Sequence, residues 1–149
     1  MNKEEVERLD DQGMSAWDTH DADAFVAIFA DEFVINDVAN PEPITSKGAA
    51  RAYAQAWFTA FPDMSVKQMN RVVSEDSVAA EIQFTGTNTG PMMMGGKEIP
   101  PTGKAVVGKG TYFSRAKDAP RRPMEEQDVL RKWIRGLEGK HQHPLAAAS

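Results

Sequence analysis

Val6, Leu9, Gly13, Ala16 and Trp17 recur every third or fourth residue, which places them on one face of a helix. The run "DTHDADAFVAIFA" breaks that helix and starts another. Asp21 or Asp23 accepts a hydrogen bond from a free amide at the new start, and Phe25, Ile28 and Phe29 form the second apolar face. "EFVINDV" is β-branched and alternating, so it predicts a short strand. Phe33, Ile35 and Asp37 fall on one side of it, and Val34, Asn36 and Val38 on the other. Two prolines keep "ANPEPITSKG" in a loop. Ser46 caps a third helix with the face Ala49, Tyr53, Ala56, Trp57 and Ala60, which stops at Phe61-Pro62 because proline disfavours helical geometry in the residue before it.

The second half of the chain alternates with period two. "SVKQMNRVVSE" predicts one strand. "SVAAEIQFTGTNTG" predicts another, with Val78, Ala80, Ile82 and Phe84 facing in and Glu81, Gln83 and Thr85 facing out. "PMMMGGKEIPPTG" is a long turn or hairpin connection, and "KAVVGKGTYFSR" is a further strand of the same sheet. Gly108 and Gly110 within it mark a bulge, a close ligand approach, or a bend in a curved sheet. "MEEQDVLRKWIRGLEG" has the pattern of an amphipathic helix, and "KHQHPLAAAS" that of a frayed tail. The expected organisation is one domain over residues 1–140 and a flexible tail over 141–149. Helices lead and strands follow, so the fold class is α+β, with one sheet wrapped over helices.

Composition narrows the function. At 149 residues the chain can bury a core without staples. Its net charge of -5 offers no basic stripe to offset phosphate repulsion, so nucleic acid is not an expected partner. With no cysteine, disulfide and thiol chemistry are absent. No apolar run approaches membrane-spanning length, and no signal segment opens the sequence, so a soluble cytoplasmic protein is expected.

Nucleotide binding lacks its motif: neither "GKGTYF" nor "GGKE" has the phosphate-loop spacing. His20, Asp21 and Asp23 lie together, but at a helix junction where aspartate caps are common, and His141 and His143 sit in the tail; no metal site is expected. Acid–base chemistry needs a titratable group held in a pocket. His20 is one candidate, titrating near neutrality when unperturbed, and a helix-end surface residue is the alternative. Asp37, beside a loop at a strand end, is the other. Asn88 and Tyr112 share the inward parity of their strands and either hydrogen-bond an oxygen of a ligand or satisfy one another at a sheet edge. Trp57, Phe84 and Met93 are candidates for an apolar, adaptable wall around a small hydrophobic molecule, with core packing or a dimer contact as the alternatives.

The segments "AWDTHDADAFVAIFADEFVINDVANPEPITSKGAARAYAQAWFTAFPDMSV", "FTGTNTGP" and "IPPTGKAVVGKGTYFSR" together resemble the SnoaL-like polyketide cyclase or ester cyclase family of the NTF2-like superfamily, from about Met14 to Arg115. The resemblance implies a cone of N-terminal helices packed in a strongly curved mixed β-sheet around an open apolar pocket. It also implies a homodimer, and an intramolecular aldol closure that needs neither cofactor nor metal. The family's histidine position falls on Asn88, and its carboxylate position on Tyr112, so the usual catalytic pair is replaced. The C-terminal helix is atypical, because "SRAKDAPRRPMEEQDV" loses the family's hairpin glycine and last strand.

Three functions follow. A cyclase acting on a hydrophobic carbonyl compound requires another base, Asp37 or His20. A non-catalytic small-molecule binder requires only an apolar pocket lined by Asn88 and Tyr112. A hydrolase or dehydratase uses Asp37 to activate water.

Overall fold

A computed structural model describes residues 2–38, 40, 42–94 and 96–116. The predicted helix over 124–139, the tail and the domain limit at 140 lie outside the described residues. Helix α1 spans Lys3–Asp18 and opens on a reciprocal cap: Glu5 N–H donates to Asn2 Oδ1, and Asn2 N–H to Glu5 Oε2. His20 follows its end in the left-handed region at φ 59°. Helix α2, Ala22–Ala27, starts at Asp21, whose carboxylate accepts from Ala24 N–H at 2.9 Å. Helix α3, Lys47–Ala60, starts at Ser46 and ends at Phe61, as the proline rule requires.

The expected strand over 33–38 does not form. Ile35 and Ile44 make one isolated bridge, and the chain then turns, with Asn40 N–H bonded to Asp37 C=O. Pro43 beside Ile44 has no amide to extend a ladder. The face of α3 is rotated in part from expectation, although Ala60 is buried as expected. Ala50, Ala54 and Phe58 are buried, Tyr53, Ala56 and Trp57 are half-buried, and Ala49 is exposed. Small residues line both sides of this helix, so hydropathy alone did not fix which side meets the core.

Three strands form one antiparallel sheet in the order β1 (Ser65–Val73), β2 (Ser77–Thr87), β5 (Ala105–Arg115). β3 (Met92–Met94) and β4 (Lys97–Ile99) make a separate antiparallel hairpin. Every pairing among the described residues is antiparallel, where the resemblance implied a mixed sheet. β2 and β5 pair in unbroken register, so neither glycine of β5 marks a bulge. Gly108 is there for a side chain: a Cβ on it would lie 2.0 Å from Phe84 Cε1, because the Phe84 ring lies across it.

The bulge lies in β1 instead, between Gln68 and Asn70. Gln68 pairs with Ile82, and Arg71 pairs with Ala80, so the extra residue Met69 brings Gln68 and Arg71 to the same face. That face meets α1, while α2 packs on α1 and α3. The core gathers Ala22, Ala54, Phe58, Phe61 and Met64, with Trp17, Trp57 and Phe84 packed against it. Burying Phe58 contributes about 2–3 kcal/mol of transfer free energy.

Candidate functional site

Asn88 follows β2 and is 1% exposed. Its Nδ2 donates to Ala60 C=O at 3.2 Å and to Gly90 C=O at 2.9 Å. Its Oδ1 accepts from Thr102 N–H at 2.9 Å and Thr102 Oγ1 at 3.0 Å. Its backbone bonds Lys104 and Gly103. One side chain thus ties the end of α3 to the loop before β5. Gly90 makes the approach possible, since a Cβ there would lie 1.8 Å from Thr59 O. Nearby, Asp63 accepts from Thr87 N–H and Oγ1, and these bonds hold its carboxyl below the usual range. With both amide protons spent, "FTGTNTG" is a fastening; the expectation that Asn88 offers a donor to a ligand is corrected.

Tyr112 does face inward from β5, but it does not meet Asn88. Its hydroxyl donates to Asp10 Oδ1 at 2.6 Å and accepts from Gln68 Nε2 at 2.7 Å. Asp10 Oδ2 also accepts from Gln68 Nε2 at 2.9 Å and Arg71 Nη1 at 3.0 Å. Arg71 Nη1 reaches on to Asp11 at 2.7 Å. The Asp10 side chain is 6% exposed, so its charge is offset by these donors rather than by bulk water. Burial, then the bond to Asp10, pushes the Tyr112 hydroxyl far above the ordinary tyrosine value. Asp10 was missed in the sequence. Its signal was an acid inside the stripe Val6, Leu9, Gly13, Trp17, where a solvated face has no place.

Asp37 is half-buried and accepts a short hydrogen bond from the Tyr53 hydroxyl. Burial, then this bond, pushes Tyr53 far above the ordinary value, and a hydrogen bond with Trp57 acts the other way. Tyr53 stands edge-on to Trp17 at 6.2 Å, Trp17 edge-on to Phe58 at 5.2 Å, and Phe58 stacks on His20 at 4.9 Å and 7°. A continuous row of rings therefore joins the two acid–base candidates. His20 is half-buried, and its Nε2 lies 2.6 Å from Met64 C=O. A carbonyl only accepts, so Nε2 carries the proton and Nδ1 remains as an acceptor in the neutral ring.

Trp57, Phe61 and Phe84 form a second aromatic group with centroids 5.9 to 6.2 Å apart. Met93 is not part of it. It is 58% exposed and lines a surface groove of about 470 Å³ between α3 and the β3–β4 hairpin, with Arg51, Gln55, Thr59 and Glu98. A groove of about 430 Å³ runs between α1 and α2. Neither is lined by Asp37, His20, Asn88, Tyr112, Trp57 or Phe84. Asp21 serves as a cap, and Asp23 pairs with Arg51 at 2.7 Å. No group of three His, Asp or Glu among the described residues is placed to hold a metal, and none of their helices is long and apolar enough to cross a membrane.

The sequence matches the SnoaL-like polyketide cyclase family over residues 7–120. A search of curated proteins finds no match. TsrD from Streptomyces laurentii superposes with a TM-score of 0.65 at 21% identity, covering 79% of this chain and 83% of that one. AclR from Streptomyces galilaeus gives 0.63 at 23% identity, covering 78% and 73%. RV0760c from Mycobacterium tuberculosis, solved in complex with estradiol-17β-hemisuccinate, gives 0.58 at 18% identity, covering 79% and 86%. Identities at this level show a shared α+β fold. With a match that spans most of its length, this chain belongs to the SnoaL-like polyketide cyclase family.

Proposed function

We propose that this protein is a cofactor-independent cyclase that binds a small apolar carbonyl compound between its helices and the inner face of its sheet, with Asp37 as the base. One observation carries the reading: the Asp37 carboxylate is half-buried, bonded to Tyr53, and stands at the end of the row of rings that begins at His20. A carboxylate so placed takes a proton from the carbon beside a carbonyl. The resulting enolate attacks a second carbonyl carbon of the same molecule, a carbon–carbon bond forms, and the new alkoxide recovers the proton. Tyr53, relieved of its anionic partner once Asp37 is protonated, donates to the developing oxyanion. His20 contributes its Nδ1 as an acceptor at the far end of the row. A dimer belongs to this proposal as well, and sedimentation of the purified chain tests it.

The experiment is α-proton exchange of an aryl methyl ketone in heavy water, followed by NMR. The wild type accelerates exchange, and Asp37→Asn loses about a hundredfold or more of that acceleration. Exchange that survives Asp37→Asn sinks the assignment of the base. A second reading is binding without turnover: Asn88 and Tyr112, at the positions the resemblance gives to the catalytic pair, are both engaged in bonds within the protein and carry no chemistry, so a ligand would be held by apolar contact alone. It predicts saturable uptake of the ketone with no exchange.

A further inference from the structure

The outer face of the sheet carries an apolar strip at one end. Gln68 and Arg71 point inward to Asp10, so Met69 at the bulge and Val72 beyond it face out, 55% and 57% exposed. Val72 pairs with Ala79, and Ala79 with the half-buried Phe113. The strip therefore crosses β1, β2 and β5. Helix α1, which packs on this sheet, lies on the opposite face with Asp10. Acids border the strip. Glu81 is the next outward residue of β2, and Glu75 and Asp76 form the turn after β1, with Arg115 beside them.

The described chain ends at this strip. Arg115 pairs with Ser77, and Ala116 N–H bonds Asp76 C=O at 2.7 Å, three residues past Phe113. Residues 117–123 lead from there to "MEEQDVLRKWIRGLEG". Extended, that linker reaches about 25 Å, whereas crossing from β5 to β1 takes about 10 Å. In the segment it carries, Val129, Leu130, Trp133, Ile134 and Leu137 recur every third or fourth residue, with Arg131, Lys132 and Arg135 between them. A helix of this length is marginal alone, and such a stripe needs a surface to bury against. The strip offers apolar side chains for the stripe and acids for the bases.

We infer that residues 124–139 dock as an amphipathic helix on the outer face of their own sheet, over Met69, Val72, Ala79 and Phe113, with their bases toward Glu75 and Glu81. The tether favours this occupant over a second copy of the chain: a segment attached at the edge of the strip meets it at an effective concentration on the order of millimolar. The docking does not depend on the chemistry assigned to Asp37.

The test is limited trypsin digestion of the full chain, with fragments identified by mass. Trypsin cuts after Arg131, Lys132 and Arg135, and the rate follows the population of undocked segment. Cleavage there should be at least about tenfold slower in the wild type than in Val72→Asp, Met69→Asp or Trp133→Ser. Met69 and Val72 are largely exposed, and circular dichroism verifies each fold. Equal rates in the wild type and Trp133→Ser overturn the docking. So does protection that survives both Val72→Asp and Met69→Asp, because the segment is then held elsewhere. Protection that weakens on tenfold dilution also overturns it, since a second copy then supplies the contact.

Discussion

The Tyr112 hydroxyl donates to Asp10 at 2.6 Å, joining β5 to α1 across 102 positions of sequence. Removing the carboxylate leaves Gln68, Arg71 and Tyr112 without their common acceptor. Asp10→Ala should lower unfolding free energy by about 3 kcal/mol, and Tyr112→Phe by about 1–2 kcal/mol. Urea denaturation of both and of the double variant should give a combined loss smaller than the sum. Strict additivity would mean that the two groups are not coupled.

Both tyrosines of the chain are bonded to aspartates, Tyr53 to Asp37 and Tyr112 to Asp10. Both hydroxyls are pushed up, first by burial and then by these bonds. A folded value above the unfolded one gives stability that is complete below the ordinary tyrosine range, about 10, and is lost as pH rises through the folded value. Tyrosinate absorbance should therefore stay low where free tyrosine is half-ionised, and appear only as the protein unfolds. A smooth titration near the free value in the folded protein would contradict the burial of both rings.

Asn88→Asp should be worse than Asn88→Ala. The alanine loses the fastening at a cost of about 2 kcal/mol, whereas the aspartate sets an anionic oxygen against the carbonyls of Ala60 and Gly90. Thermal melts at neutral pH decide the order. Asn88→His should fail to produce a proton carrier, because the position is enclosed by α3 and the 102–104 loop.

Two glycines should respond in opposite directions. Gly48 lies in the first turn of α3 with nothing within 4 Å of an added Cβ, so Gly48→Ala should stabilise by about 0.5–1 kcal/mol. Gly90→Ala drives a Cβ into Thr59 O and should cost about 2 kcal/mol or more. Paired melts with equal signs would refute the close approach at Gly90.

The local rules that acted over a few residues were legible in the sequence. Asp21 and Ser46 cap helices because their side chains reach amides three residues on. Phe61-Pro62 stops α3, and β2 forms over the stretch its sequence marked, although Val78, Ala79 and Ala80 are buried in succession rather than alternately. What stayed hidden depends on who arrives from elsewhere in the chain. Strict alternation in β1 separates Gln68 from Arg71, and only the bulge at Met69 brings both to Asp10. Asn88 has the parity of a wall residue, but its role was set by where Ala60 and Thr102 come to rest. Asp37 was visible as a loop acid, but its partner Tyr53 was not, because tyrosine on a helix face looks like core.

The nesting of Phe84 over Gly108 also constrains the order in which this protein can change. A lineage that first replaces Gly108 meets the ring at 2.0 Å and passes through a damaged intermediate. One that first trims Phe84 opens a hollow, which a later side chain at position 108 refills. The two positions therefore form a one-way street in sequence space: each residue is replaceable, but only after the larger of them has given ground.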